Sequence, residues 1–362
     1  MDKSNLKTIS GGSSIFLDCL RLSAALIVLY IHAKDQWFPA QKQAPNLPGE
    51  PSHAAVIAFF VLSGYVIAYT TNTNNRGPIQ YAKARLSRLC SMLIPALIIT
   101  AIISLILRQV DYSLLMSYSR GNSVVRYLLS AIFCNEIWFF SSAPPINIPI
   151  WSLSFEFWYY AIFGFWFFKA KGIKAYVLPI IVCLIAGAKI LLMMPIWLMG
   201  YFAFTIKGLQ IDKRVNWILV FILAGLTIGI IMILPPYPGM NRLHFLFYAS
   251  QFLTDWVIGL FIALTLWLLP SGSKIQSNNI TAKVFRQLAD LTFPIYILHY
   301  PLLVFWRGIF GFKINNPEQM THAIITVFFV AVIIGIGLEK QRKYWGFFFD
   351  RVFALDMFKS NS

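Results

Sequence analysis

This chain is short of charge: only 12% of its 362 residues are Asp, Glu, Lys or Arg, about half the share of an ordinary soluble domain. It is also short of cysteine. The four present, Cys19, Cys90, Cys134 and Cys183, lie far apart and mostly in apolar runs. That spacing excludes a disulfide framework and a thiolate metal site, and core filling is the expected role. No basic domain is present to hold a polynucleotide, so the net charge of +16 does not point to nucleic acid. No small-residue cleavage site follows the first apolar run, Ile15 to Ala33, which therefore reads as a transmembrane helix rather than a removable leader. No internal repeat is evident either, which weighs against an inverted-repeat transporter.

What the chain has is apolar length. Hydrophobic residues make up 58% of it, aromatics 16%, led by 32 Phe, and the mean hydropathy is +0.67. About ten stretches approach the length needed to cross a roughly 30 Å hydrocarbon layer. A soluble protein with a large core has no reason to distribute its apolar residues in this way. Spans are expected at 15–34, 53–71, 89–107, 152–168, 175–193, 195–206, 216–234, 246–269, 288–309 and 321–338. The sixth is the weakest, being short and placed directly after Pro195. The expected fold class is all-α: a polytopic transmembrane bundle of about ten helices, with both termini cytoplasmic.

Lysine and arginine set that orientation. The segments taken as inner hold Lys3, Lys7, Arg76, Lys83, Arg85, Arg88, Lys169, Lys171, Lys174, Lys207, Lys213, Arg214, Lys274, Lys283, Arg286, Lys340, Arg342, Lys343, Arg351 and Lys359. The outer ones hold only Lys34, Lys42, Arg108, Arg120, Arg126, Arg242 and Lys313. This is the bias of the positive-inside rule. It divides the chain into a cytoplasmic segment 1–14, a transmembrane domain 15–340 with a long outer loop 108–151, and a cytoplasmic tail 341–362. Within the loop, Val124 to Phe140 is semi-apolar but interrupted by Asn135 and Glu136, which predicts an interfacial or re-entrant helix or a lid. Pro144, Pro145 and Pro149 then break helix before the next span.

Several polar residues lie where hydrocarbon disfavours them. Arg21 and His32 share a face of the first helix, roughly 16 Å apart along its axis; a guanidinium at that depth needs a carboxylate, carbonyls or a wet cavity. Arg85 and Arg88 share a face at the start of the third span, as forked donors suited to phosphate; Lys83 and Lys340 are looser candidates. The Ser63-Gly64 pair predicts close helix approach. Glu156 opens the fourth span at the depth of His32, where an unpaired carboxylate costs several kcal/mol. Tyr296 and His299 share a face of the ninth, in which Pro294 is expected to kink the helix. Glu339 ends the tenth as a candidate partner for Arg85 or Arg88. His53, His244 and His322 are given no chemistry, and Lys189 is expected to snorkel to the interface. No metal-ligand cluster is present.

These residues recur as ordered motifs: Arg21 and His32 within LDCLRLSAALIVLYIHA, then FFVLSGYVIAY, Arg85-X-X-Arg88, WSLSFEFWYY around Glu156, FPIYILHYPLL around His299, and Glu339. Together they resemble acyltransferase family 3, the integral-membrane O-acyltransferases of cell-surface glycans, in the stand-alone type without an extracytoplasmic esterase-like domain. The resemblance spans nearly the whole chain and implies a multi-pass protein of a bacterial inner membrane. It implies acyl-coenzyme A, commonly acetyl-coenzyme A, as a cytoplasmic donor substrate, with no permanently bound cofactor. It implies a surface glycan or lipid-linked sugar as acceptor on the outer side, with or without a separate partner enzyme.

On that reading His32 takes the proton of an acceptor hydroxyl, directly or by way of an acyl intermediate. Glu156 supports the imidazole or holds sugar hydroxyls. Arg21 stabilises oxyanion charge or, given its distance from His32, positions the donor. Arg85 and Arg88 bind coenzyme A phosphates, and Tyr296 and His299 line the path. The competing expectations are acylation of a small metabolite or lipid, and a transporter or flippase whose buried Arg, His and Glu form a translocation path.

Overall fold

The structure, a computed structural model, describes residues 8–42, 50–73, 77–169, 172–239, 245–271 and 280–359. Of the residues weighed from sequence, Lys3, Lys7, Arg76, Lys171, Arg242, His244 and Lys274 lie outside the described residues. The helices are α1 (Gly12–Trp37), a single turn α2 (Pro39–Lys42), α3 (Pro51–Thr73), α4 (Pro78–Val110), α5 (Tyr112–Ser117), α6 (Ser123–Ala131) and α7 (Trp151–Phe167), followed by α8 (Val177–Ala186), α9 (Ala188–Thr205), α10 (Lys213–Ile233), α11 (Phe252–Trp267), α12 (Ile280–Asp290), α13 (Thr292–Phe310) and α14 (Pro317–Lys359). Three short 3-10 turns lead into α7, α8 and α11. The protein is therefore helical throughout its described elements. Seven helices, α1, α3, α4, α9, α10, α13 and α14, are long and apolar enough to cross a membrane, and shorter apolar helices lie at Ile173–Ala186 and Phe252–Trp267. Leu105, Phe221, Ile233 and Ile333 are largely exposed, as side chains facing lipid would be.

The chain forms two compact units. The first comprises Met1–Asp35, Pro39–Asn75 and Ala188–Thr292; the second comprises Gln36–Phe38, Arg76–Gly187 and Phe293–Ser362.

In the first unit α3 packs along α9, and α11 packs against both. Gly64 and Gly200 make the α3–α9 approach possible. A Cβ on Gly64 would overlap the carbonyl oxygen of Trp197, and one on Gly200 would overlap that of Val61. The expectation from Ser63-Gly64 is met, and Ser63 Oγ also accepts from Trp197 Nε1 at 3.2 Å.

In the second unit α14 packs along α4, and α4 also meets α7, α5 and α6. Both long helices exceed a membrane span: α4 has 33 residues and α14 has 43, the latter about 64 Å at 1.5 Å per residue. No break marks position 340, so residues 341–359 continue α14 rather than forming a separate tail.

Five features differ from expectation. The break foreseen before Pro195 lies instead at Gly187, so 195–206 is the second half of α9 and Pro195 is inside it. Gly187 adopts φ +82° and packs so tightly on Trp138 that a Cβ would lie 2.7 Å from its backbone nitrogen; only glycine fits there. Pro294 occupies the first turn of α13, where a missing N–H breaks no helical bond, so it does not kink the helix; the interior proline is Pro301. Asp290 ends α12, a separate helix from α13. Arg85 and Arg88 lie in the body of α4, which begins at Pro78. The semi-apolar stretch of the outer loop is helical only over Ser123–Ala131, with Val124, Val125 and Leu128 exposed along one side.

Candidate functional site

The candidate site of the second unit grows from the period of two helices. On α7, Ser152, Glu156 and Tyr160 recur every four residues and share a face. On α4, Tyr81, Arg85 and Arg88, spaced by four and then three residues, also share a face. Tyr160 donates its hydroxyl to Glu156, and the guanidinium of Arg85 lies 5.7 Å from the centre of the Tyr160 ring. Tyr81 donates to the Tyr160 backbone carbonyl at 3.1 Å, which ties the two helices at that level. Arg88 lies 5.9 Å from the Phe293 ring. The half-buried Glu156 carboxylate is thus met by a phenol under a guanidinium, and Arg85 Nε is buried with no hydrogen-bond partner among the described residues.

Around this array the loop before α7 is held by side chains rather than by regular structure. Ser154 and Trp158 both donate to the Phe133 carbonyl, at 2.6 and 3.0 Å, and Phe133 has φ +58°. Asn147 donates to Thr100 Oγ1 at 3.0 Å and to the Ile297 carbonyl at 3.1 Å. Tyr296 OH lies 2.8 Å from Ser152 Oγ and 3.1 Å from the Pro149 carbonyl. Its hydroxyl is therefore engaged in positioning the start of α7. His299 is fully buried. Its Nδ1 lies 2.6 Å from the Tyr296 carbonyl and 3.3 Å from that of Ile295. Carbonyls only accept, so Nδ1 carries the proton and a neutral ring keeps Nε2 as an acceptor.

Beyond the array, α4 and α14 flank an open groove of about 670 Å³, with Lys83, Ser87, Glu339, Lys340, Arg342 and Lys343 among its lining residues. Positions 80, 83, 84 and 87 of α4 face it, a different side of the helix from Arg85 and Arg88. Lys83 pairs with Asp350. Glu339, expected as a partner for Arg85 or Arg88, lies 3.7 Å from Arg342.

The first unit holds the other two signature residues. Arg21 lies 3.8 Å from Asp18, one turn earlier on α1; this is the carboxylate that a guanidinium at such depth calls for. His32 is half-buried on the same helix. The structure thus gathers Glu156, Arg85, Arg88, Tyr296 and His299 in one unit and Arg21 and His32 in the other.

Two findings in the first unit overturn or exceed the sequence reading. Lys189 does not snorkel: it is fully buried, with its ammonium 5.6 Å from the Phe247 ring centre. His53, given no chemistry, is buried with its Nε2 3.0 Å from Asp255 Oδ2, and Gln251 donates to the other carboxylate oxygen at 3.2 Å. Asp255 was the available signal, as a carboxylate within the apolar stretch 246–269.

Among the described residues no cluster of His, Cys, Asp or Glu has metal-ligand grouping. No curated protein and no solved structure matches the chain. A family model described as an acyltransferase domain matches residues 14–338. That match takes in α1 with Arg21 and His32, the Glu156 array and His299. A helical, multi-pass chain whose intramembrane polar residues fall on these motifs belongs to acyltransferase family 3.

Proposed function

We propose that the protein transfers an acyl group, most simply acetyl, from acyl-coenzyme A at the cytoplasmic face to a hydroxyl of a cell-surface polysaccharide or glycolipid on the outer face. The acyltransferase class follows from the family. The observation that carries the finer reading is the array of Glu156, Tyr160 and Arg85, a carboxylate, a phenol and a guanidinium at a depth where polar groups are costly unless they serve a ligand. The proposal takes about ten spans in a bacterial inner membrane with both termini cytoplasmic, the arrangement favoured by the lysine and arginine bias.

In the proposed reaction the acceptor oxygen attacks the thioester carbonyl carbon while His32 takes its proton. The C–S bond breaks, an ester forms, and the coenzyme A thiolate leaves and receives that proton. Arg21 positions the donor, a role its ion pair with Asp18 supports by fixing the guanidinium. Arg85 and Arg88 bind donor phosphates, with Lys83, Lys340, Arg342 and Lys343 of the adjacent groove drawing in the polyanion. Glu156 with Tyr160 holds acceptor or donor hydroxyls, and Tyr296 and His299 shape the wall of the path.

The test uses purified protein in liposomes with labelled acetyl-coenzyme A inside and envelope glycan outside. His32→Ala should lower acceptor-dependent thioester cleavage about 10²–10⁴-fold while the folded protein remains. Full activity in that variant would reject His32 as the base, and movement of substrate without thioester cleavage would reject transfer. Mass spectrometry of envelope glycans with and without the protein identifies acceptor and acyl group; acyl loss confined to a lipid or small metabolite would move the acceptor to that class.

A further inference from the structure

A second polar cluster lies in the second unit, at the C-terminal end of α13. Arg307, in the last turn of that helix, donates from Nη1 to Gln36 Oε1 at 3.2 Å and to Tyr118 OH at 3.0 Å. Phe312 lies against the guanidinium, 3.8 Å from its central carbon to the ring centre. No carboxylate lies within ion-pair distance of Arg307 among the described residues. Asp111 is close enough to be held below the usual carboxylate range in small part by Arg307, but its own bonds go to Leu114 N and Ser113.

The hydrogen-bond inventory of this cluster does not close. A guanidinium has no acceptor, so the Gln36 oxygen must face Arg307 and the Gln36 amide nitrogen must face elsewhere. That nitrogen, on a side chain over nine-tenths buried, has no partner among the described residues, and neither does Arg307 Nε. Tyr118 accepts from Arg307, and burial raises its phenol, so it keeps a proton to donate. Tyr300 lies within hydrogen-bond reach of that phenol, so Gln36 Nε2 and Arg307 Nε are the two buried donors of this cluster left without an acceptor among the described residues. A buried donor left unpaired is costly, a cost a structure sustains where a ligand completes the set.

The walls around them are fixed. Trp37 is fully buried between Trp306, at 5.8 Å, and Phe312, at 5.5 Å. Its indole donates to Gln319 Oε1 at 3.1 Å, and its carbonyl accepts from Asn315 N at 2.9 Å. Tyr300 meets Tyr118 edge to face at 6.2 Å. Arg307, Tyr118, Tyr300 and Trp306 are only half-buried, whereas Arg307 Nε and Gln36 Nε2 are themselves covered, so a ligand reaches them once these rim side chains shift.

We infer that Arg307, Gln36 and Tyr118 form an oxyanion subsite, taking a carboxylate or phosphate through the Nε edge of the guanidinium. Resting on the proposed transfer reaction, this is the acidic substituent of the acceptor saccharide. The subsite lies eight residues beyond His299 on α13, about 12 Å along the helix, a span that one sugar unit or two would cover.

The test needs no acyl donor, so it fails or succeeds independently of the transfer reaction. Full-length protein in nanodiscs is titrated by equilibrium dialysis with labelled glucuronate, glucose 6-phosphate and glucose, with and without phosphatidylglycerol in the disc. Either acidic sugar should bind more tightly than glucose. Arg307→Lys, which keeps the charge but loses the fork, and Gln36→Leu should each weaken that binding at least about tenfold. Loss of sugar binding specifically with phosphatidylglycerol present would support the oxyanion site and assign it to a lipid headgroup. In the unaltered protein, glucuronate but not glucose should slow phenylglyoxal modification of Arg307, read by peptide mass spectrometry. Equal modification rates, or glucose binding as tightly as the acidic sugars, would overturn the inference.

Discussion

Single residues carry the chemistry, and at this scale the sequence was most legible where a charge interrupts hydrocarbon. Arg21, Glu156 and His299 stood out because each is anomalous in an apolar run. The same rule applied to Asp255 and Arg307, which also sit in expected spans, but their partners did not follow from spacing. His53 is 202 residues from Asp255, and Gln36 is 271 from Arg307; only the fold joins them. The His53–Asp255 pair is buried, so removing either partner takes a hydrogen bond from the other. His53→Ala and Asp255→Ala should each destabilise the protein by about 1.5–3 kcal/mol, and the double variant by less than their sum. Unfolding in detergent measures this, and strict additivity would show that the two groups do not depend on each other.

Helices were legible as periods and lengths, and less so as ends. The expected spans 15–34 and 53–71 lie within α1 and α3, and 216–234 overruns α10 by one residue, because each has polar or turn-forming flanks. The join between α8 and α9 was misplaced because proline is a strong breaker in isolation, whereas a mid-helix proline is tolerated when neighbours satisfy the freed carbonyl. Gly187 breaks the chain instead, through a tertiary contact with Trp138 that no local rule contains. The α3–α9 contact gives the sharper test at this scale. Gly64→Ala and Gly200→Ala both place a methyl into an opposing carbonyl, so each should destabilise by about 1–3 kcal/mol as the helices part. Gly225→Ala, where a Cβ meets nothing within 4 Å, is the matched control in α10. Equal stability of all three variants would mean that α3 and α9 do not pack at this distance.

At the scale of the whole molecule the sequence established a membrane protein and its family, while the motif residues fall some in one unit and some in the other. The orientation is open to a direct measurement. In a background with its four cysteines replaced by serine, Ser119→Cys lies in the segment taken as outer, and Gly346→Cys lies in the α14 extension taken as inner. An impermeant maleimide applied to intact cells should label the first, and reach the second only after permeabilisation. The reverse pattern would invert the proposed topology and exchange the faces assigned to donor and acceptor.

The length of α14 has a consequence of another kind. A helix that ends at the membrane surface is matched to one bilayer thickness, whereas α14 runs on for several turns past any plausible boundary. Thicker or thinner lipid then changes only which turn meets the headgroups, until the cluster of Lys340, Arg342 and Lys343 resists entering hydrocarbon. The register of α14 against α4 is held by protein contacts, such as the bond from Gln341 to the Ser91 carbonyl. The groove between them should therefore keep its shape as the surrounding lipid changes.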